Sequence, residues 1–198
     1  MTKPTTPAES SAPRRRRADA ERSVAAILDA ALEALASDPD ASMAEIARRA
    51  GVVRATIYVH FPTRESLLDA VMERSVAEVA EATRDAEPQR GAPKEALERV
   101  LRATWQELGR FHALLAINTG RLSPKELHRR HLPVLELLAP LIERGQKEGV
   151  FRSDLPVSWH LAVIRAIVHT ASNEIQIGRM PESEVEAAML STVISAIS

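Results

Sequence analysis

Cysteine is absent, which excludes a disulfide framework and any thiolate zinc site. Aromatic residues are scarce at 3% of the 198 residues, with a single tyrosine, two tryptophans and three phenylalanines. No run of about 18 apolar residues occurs, so no membrane span is expected. The N-terminus is polar, unlike an apolar signal segment, and a cytoplasmic protein is the default expectation. Glycines and β-branched clusters are too few to suggest a sheet. What is present is abundant Ala, Leu, Glu and Arg with charges of alternating sign, a composition that favours an all-helical fold. Hydrophobic residues at 45% and charged residues at 27% suit an ordinary globular protein, one domain or a small module joined to a larger one.

The formal net charge of −1 conceals an uneven distribution. Residues 1–64 hold ten basic against eight acidic side chains, and the remainder sixteen against nineteen. Four of the positives are consecutive: Arg14, Arg15, Arg16 and Arg17. Near-neutrality does not exclude nucleic acid as a partner, because affinity follows where the positives sit.

Residues 1–13, MTKPTTPAESSAP, lack periodicity, and with the arginine run they read as a disordered basic arm over 1–18. Ile27, Leu28, Ala31, Leu32 and Leu35 then recur at helical spacing, predicting a first helix over 19–36. Ser42 and Glu45 form a capping box, S-x-x-E, opening a short helix that stops at Gly51. Another short helix over 53–60 is broken by Pro62. Thr63 is placed to cap a long helix striped by Leu67, Leu68, Val71, Met72, Val76 and Val79. Further helices are expected over 93–109, 110–119, 125–148, 156–178 and 182–197, with Pro133 and Pro140 delaying or kinking the one from 125. The stretch 161–171 is apolar almost all round, as in a helix buried on several sides. The last helix carries a cleaner stripe of Val185, Ala188, Met189, Thr192, Val193, Ala196 and Ile197.

The run IARRAGVVRATIY, residues 46–58, has the spacing of a helix-turn-helix. Ala47 is small where two helices cross, Gly51 permits the tight turn, and Ile46, Val52 and Ile57 can fill the core between them. Such a unit lays its second helix in the DNA major groove. Extended to IARRAGVVRATIYVHFPTRESLLDAV, the run resembles the DNA-binding domain of the TetR family of bacterial transcriptional regulators. The likeness is close over 19–72; beyond it, the helices are similar in number and length and in the GQKEGVFRSDLP turn at 145–156.

This resemblance implies an all-α protein with a three-helix DNA-binding domain over 19–66 and a helical effector-binding and dimerisation domain over 67–198. It implies a homodimer on a near-palindromic operator in double-stranded DNA, acting as a repressor that answers to a small-molecule effector. By position, Arg54 and Ala55 would reach base edges, while Thr56, Tyr58, His60 and Arg64 would contact phosphates. Ser42 is counted with these DNA-contacting positions, and Phe61 would seat the recognition helix. The helices over 156–178 and 182–197 would meet their symmetry mates in a four-helix bundle. One departure stands out: Val53 occupies a position where the family often has Ser or Gly. Valine cannot cap a helix, and a missing cap costs about 1 kcal/mol.

Other candidates stay open on sequence grounds. The Arg14–Arg17 run reads either as an arm entering the minor groove or as a solvated tail. Arg165, His169 and Asn173, spaced by four, would line an effector pocket, face a partner subunit or pair with neighbouring glutamates. Trp105 and His112 share a face and join the pocket candidates, with core packing the plainer role for Trp105. His128 and His131 have a spacing that metal sites use, yet no third ligand stands near, so neither metal nor cofactor is expected. An enzyme or a protein-binding adaptor with a structural helix-turn-helix is the alternative; no nucleophile–base pair, glycine-rich phosphate loop or paired-carboxylate motif supports the enzyme.

Overall fold

The computed structural model describes residues 11–198, and among these the regular structure is helical throughout. Helix α1 spans Ser11–Ser37, α2 Met43–Arg49, α3 Arg54–His60 and α4 Arg64–Asp85. Then follow α5 (Pro93–Leu108), a 3₁₀ turn (Gly109–Phe111), α6 (His112–Arg121), α7 (Pro124–Lys147), α8 (Val157–Gln176) and α9 (Glu182–Ile197). The chain divides after Val71 into two compact units, so α4 contributes residues to both. No helix among the described residues is long and apolar enough to cross a membrane.

In the first unit α1 packs on α2, and α2 on α3. Its buried side chains include Ile27, Ala31, Leu35, Ile46, Ala47, Ile57 and Phe61, the apolar positions that the periodicity marks. The first helix begins earlier than expected. Pro13 falls in its first turn, where a missing N–H leaves no bond unmade. Further on, Arg17 pairs with Glu21 and Arg22 with Asp19, contacts that support a helix. Arg14–Arg17 therefore stand in helix rather than in the disordered arm expected over 1–18, while residues 1–10 lie outside the described residues.

Half of the expected capping box forms at α2. The Ser42 hydroxyl accepts from the Glu45 N–H at 3.2 Å, but the Glu45 carboxylate turns to Arg48 and Arg49 at 2.7 and 2.9 Å. The same arrangement recurs at α7, where Ser123 accepts from the Glu126 N–H and Glu126 binds Arg129 and Arg130. Two charge-assisted bonds to guanidinium outcompete one bond to a neutral amide. The reciprocal box appears at α4 instead: the Ser66 N–H donates to Thr63 Oγ1 at 3.1 Å, and the Thr63 N–H to Ser66 Oγ at 3.2 Å. At α3 the cap position is Val53, extended at ψ 150° and without a side-chain bond to the helix.

The core of the second unit joins α5, α7, α8 and α9 through Leu97, Val100, Leu138, Leu141, Met189 and Val193, among others. Helix α7 starts at Pro124 and runs through Pro133 and Pro140, so of the two expected outcomes, a late start or a kink, the late start does not occur. Both internal prolines are exposed and lie seven apart, so they share the solvent face. Water can there satisfy the carbonyls that lose an N–H partner.

The turn after α7 has a demanding geometry. A Cβ on Gly145 would sit 2.0 Å from the Phe151 ring, so only glycine lets that ring fold back against the helix. Gly149, at φ +70°, makes the reversal. The returning strand of chain is then tied down: Gln146 Nε2 donates to the carbonyls of Arg152 and Leu155, and the Arg152 N–H to Ile197 at the end of α9. On α9, Val185, Met189, Val193 and Ile197 are buried, whereas Ala188 and Thr192, expected in the same stripe, are exposed.

Candidate functional site

Burial on α3 is one-sided. Ile57 is fully buried and Phe61, just past the helix end, is nearly so, whereas Arg54, Ala55, Tyr58 and Val59 are open to solvent. The apolar Val53, at the cap position, and Val59, within the helix, are 70% and 77% exposed. One turn apart, the Arg54 guanidinium lies over the Tyr58 ring, 5.7 Å from its centroid. That contact follows from the i, i+4 spacing of the two residues in the sequence. Thr56 and His60 are half-buried at the edge of this face, with the His60 ring 6.4 Å from Phe61.

Two other sequence candidates are engaged within the unit. Ser42 is exposed, and its hydroxyl caps α2. The Arg64 guanidinium donates to the carbonyl of Pro39 at 2.6 Å and to that of Ala41, bracing the start of α4 against the α1–α2 loop. It thus has fewer N–H groups free for a phosphate than the resemblance implies.

In the second unit, residues of α4, α5, α6, α7 and α8 enclose a cavity of about 80 Å³. Its walls are mainly aliphatic, including Val79, Leu101, Leu114, Leu138 and Ile164. The hydroxyls of Ser75 and Thr104 also line it, but each donates to a carbonyl of its own helix. Arg165, His169 and His131 complete the polar part. The two imidazoles approach Nε2 to Nε2 at 3.4 Å, with ring centroids 5.2 Å apart. His131 Nδ1 donates to the Leu127 carbonyl at 2.7 Å, which leaves its Nε2 to accept from His169.

This pair is held neutral. Burial, then the charge of His131 and Arg165, lowers His169 to about 4. Burial also lowers His131, against the Leu127 hydrogen bond that favours its charged form, with Arg165 and His128 acting in the same direction as burial. The Nε of Arg165 is buried and has no hydrogen-bond partner. His131 as a pocket residue was missed by sequence reasoning: no local pattern links it to His169, 38 positions away.

The remaining candidates lie elsewhere. Trp105 and His112 are buried against each other with rings 4.9 Å apart, and His112 Nδ1 bonds Ser172 Oγ at 3.1 Å. Neither lines the cavity. Asn173 is exposed, sharing a face of α8 with Trp159, Ala166, Thr170 and Ile177. Steps of four residues overshoot the helical repeat, so Asn173 lies about 80° round the helix from Arg165. His128 is exposed, apart from the His131–His169 contact, and no group of three metal-ligating side chains gathers among the described residues.

Comparison with known proteins adds independent findings. Residues 27–71 match the family model described as bacterial regulatory proteins, tetR family. The transcriptional repressor LfrR of Mycolicibacterium smegmatis is 30% identical over 178 residues, which is 89% of this chain and 91% of that protein. The regulator NfxB of Pseudomonas aeruginosa is 26% identical, over 79% of this chain and 84% of its own length. The crystal structure of LfrR with proflavine superposes with a TM-score of 0.71 at 28% identity, covering 90% of this chain and 97% of that one. FadR of Bacillus subtilis, solved with stearoyl-CoA, shares the fold with a TM-score of 0.70 at 22% identity, covering 87% and 98%.

Proposed function

The chain belongs to the TetR family of bacterial transcriptional regulators, and from that premise we propose a ligand-responsive repressor that binds a near-palindromic operator as a homodimer. The carrying observation is the one-sided burial of α3, which leaves Arg54, Ala55 and Tyr58 outward on a helix seated by Ile57 and Phe61. On this reading α3 enters the major groove with its N-terminal residues on base edges. Arg54 bonds a guanine, Ala55 admits a close approach, and Tyr58, Thr56 and His60 meet the sugar–phosphate backbone. Arg64 serves mainly to hold α4 and the α1–α2 loop in register, with its remaining N–H groups turned to phosphate. Such a protein works in the cytoplasm.

Dimerisation is assigned to α8 and α9. Their outward faces hold Trp159 and Ala166 on α8, with Ile177 at its C-cap, and Ala187, Ala188, Ser191 and Thr192 on α9, exposed uncharged side chains suited to packing against a helical mate. The cavity supplies the response. Helix α4 carries Arg64 at its start and Met72, Ser75, Val76 and Val79 in the cavity wall, so an effector that displaces the wall shifts the helix that anchors the DNA-binding unit. Release requires that the effector bind the non-DNA form more tightly, since equal affinity moves no equilibrium. The relatives are consistent with a liganded cavity: LfrR was solved with proflavine and FadR with stearoyl-CoA.

The test is fluorescence anisotropy of the full chain with duplexes tiled across the DNA beside its own coding sequence, at fixed salt. One tile should bind at least about 1000-fold more tightly than scrambled duplex; uniform weak binding to every tile would sink the assignment.

A further inference from the structure

We propose that the cavity of the second unit takes a compact apolar molecule carrying one carboxylate, with the anion set against Arg165 and the His131–His169 pair. This rests on the reading of that cavity as the effector site.

The charge of the lining is the first support. Among the described residues that line the cavity, Arg165 is the only permanently charged one, and none is acidic. The sequence of α6, which closes one side, contains no Asp or Glu either. Arg165 has no carboxylate partner among the described residues, and its buried Nε–H lacks any acceptor. An unsatisfied cationic donor in a nearly dry site is costly, and a ligand carboxylate removes that cost by accepting from it.

The imidazoles point the same way. As neutral rings they approach each other, Nε2 to Nε2, in a place where burial first, and the guanidinium charge in addition, disfavours protonation of both. A carboxylate would offset that charge and favour a proton on the pair against the cost of burial, and a protonated pair is a donor to the ligand. The aliphatic remainder of the wall accommodates the ligand's apolar body. The crevice between α4 and α7 shares Met72 and Val76 with the cavity and bears Arg84, Arg129 and Arg130 against the single acid Glu73. An anion would meet favourable potential there, even with Arg129 and Arg130 also serving Glu126. A cation such as proflavine, the ligand in the LfrR crystal, would instead be placed beside Arg165 without a counter-charge.

The experiment uses three probes of one shape and different charge: 1-naphthoate, 1-naphthalenemethanol and 1-naphthylmethylammonium. Each is titrated into the full-length protein by calorimetry at pH 7 and low salt. The expected order is naphthoate tightest and ammonium weakest, with Arg165→Gln lowering naphthoate affinity at least about tenfold and leaving the alcohol nearly unchanged. If the alcohol or the ammonium binds as well as naphthoate, the charge assignment is overturned while the cavity stands as a ligand site. Binding of none of the three overturns both. The ranking on the unaltered protein decides the matter even if Arg165→Gln does not fold.

Discussion

Arg54 and Tyr58 touch one another yet are assigned different work, and substitution should separate them. Arg54→Ala removes a donor suited to guanine, so operator affinity should fall about 10- to 100-fold while binding to scrambled duplex falls much less. Equal losses on both duplexes would reassign Arg54 to phosphate. Tyr58→Phe keeps the ring under the guanidinium and deletes only the hydroxyl, so all sequences should weaken alike, by less than tenfold. Anisotropy with the two duplexes reads both outcomes. Val53 offers a stability counterpart. It is exposed, extended and bonded to no helix amide, so Val53→Ser should supply the missing cap and raise unfolding free energy by about 0.5–2 kcal/mol in urea titration. No gain would mean that the α3 N–H groups already have sufficient solvent partners.

Among the elements, the α7–α8 turn is the most exacting. Gly145 has no room for a methyl group, whereas Gly149 has open space around it and only its left-handed backbone at stake. Gly145→Ala should therefore cost more, about 1–3 kcal/mol from overpacking, against about 1 kcal/mol for Gly149→Ala. Combining Gly145→Ala with Phe151→Ala should cost less than the two separate losses added, because the deleted ring makes room for the methyl. Thermal unfolding of the three variants and the double variant checks the order; strict additivity would show that the Phe151 ring yields easily. The same turn was recognisable in the sequence as GQKEGVFRSDLP, but only as a pattern. That one glycine answers to a ring and the other to a dihedral angle depends on how the chain returns to α7.

For the whole molecule, pH dependence concentrates in the buried imidazoles. His169 binds its proton at about 4 in the folded chain against an ordinary 6.5, with His131 and Arg165 facing it. Between those values the unfolded chain holds more protons, so stability is full above about 6.5 and declines as pH falls toward 4. His131 and His112 are lowered in the same sense. The carboxylates of Glu45 and Glu126, held near 2 by hydrogen bonds from Arg48 and Arg49 and from Arg129 and Arg130, act only below the ordinary 4.5. Urea midpoints should consequently drop between pH 7 and pH 5, and His169→Gln should flatten that drop. An unchanged slope would place the proton-sensitive group elsewhere.

The all-helical class, the helix-turn-helix, its missing cap and most of the buried stripe positions were determined by the sequence alone, whereas the start of α1 and the exposure of Ala188 and Thr192 were not. Each of the former depends on residues within two or three turns of one another, where spacing converts directly into geometry. The same locality marks the limit: the behaviour of Glu45 at cap spacing, of Pro13 and of the prolines of α7 depends on the charged or solvated groups around them, which spacing does not specify. Only the tertiary structure decided that Arg64 reaches Pro39 and Ala41, that His131 meets His169, and that Asn173 turns away from the wall which Arg165 and His169 share. These contacts join positions far apart in the chain. They are set by how helices pack, because a side chain's partner is chosen by the helix opposite it rather than by its own repeat.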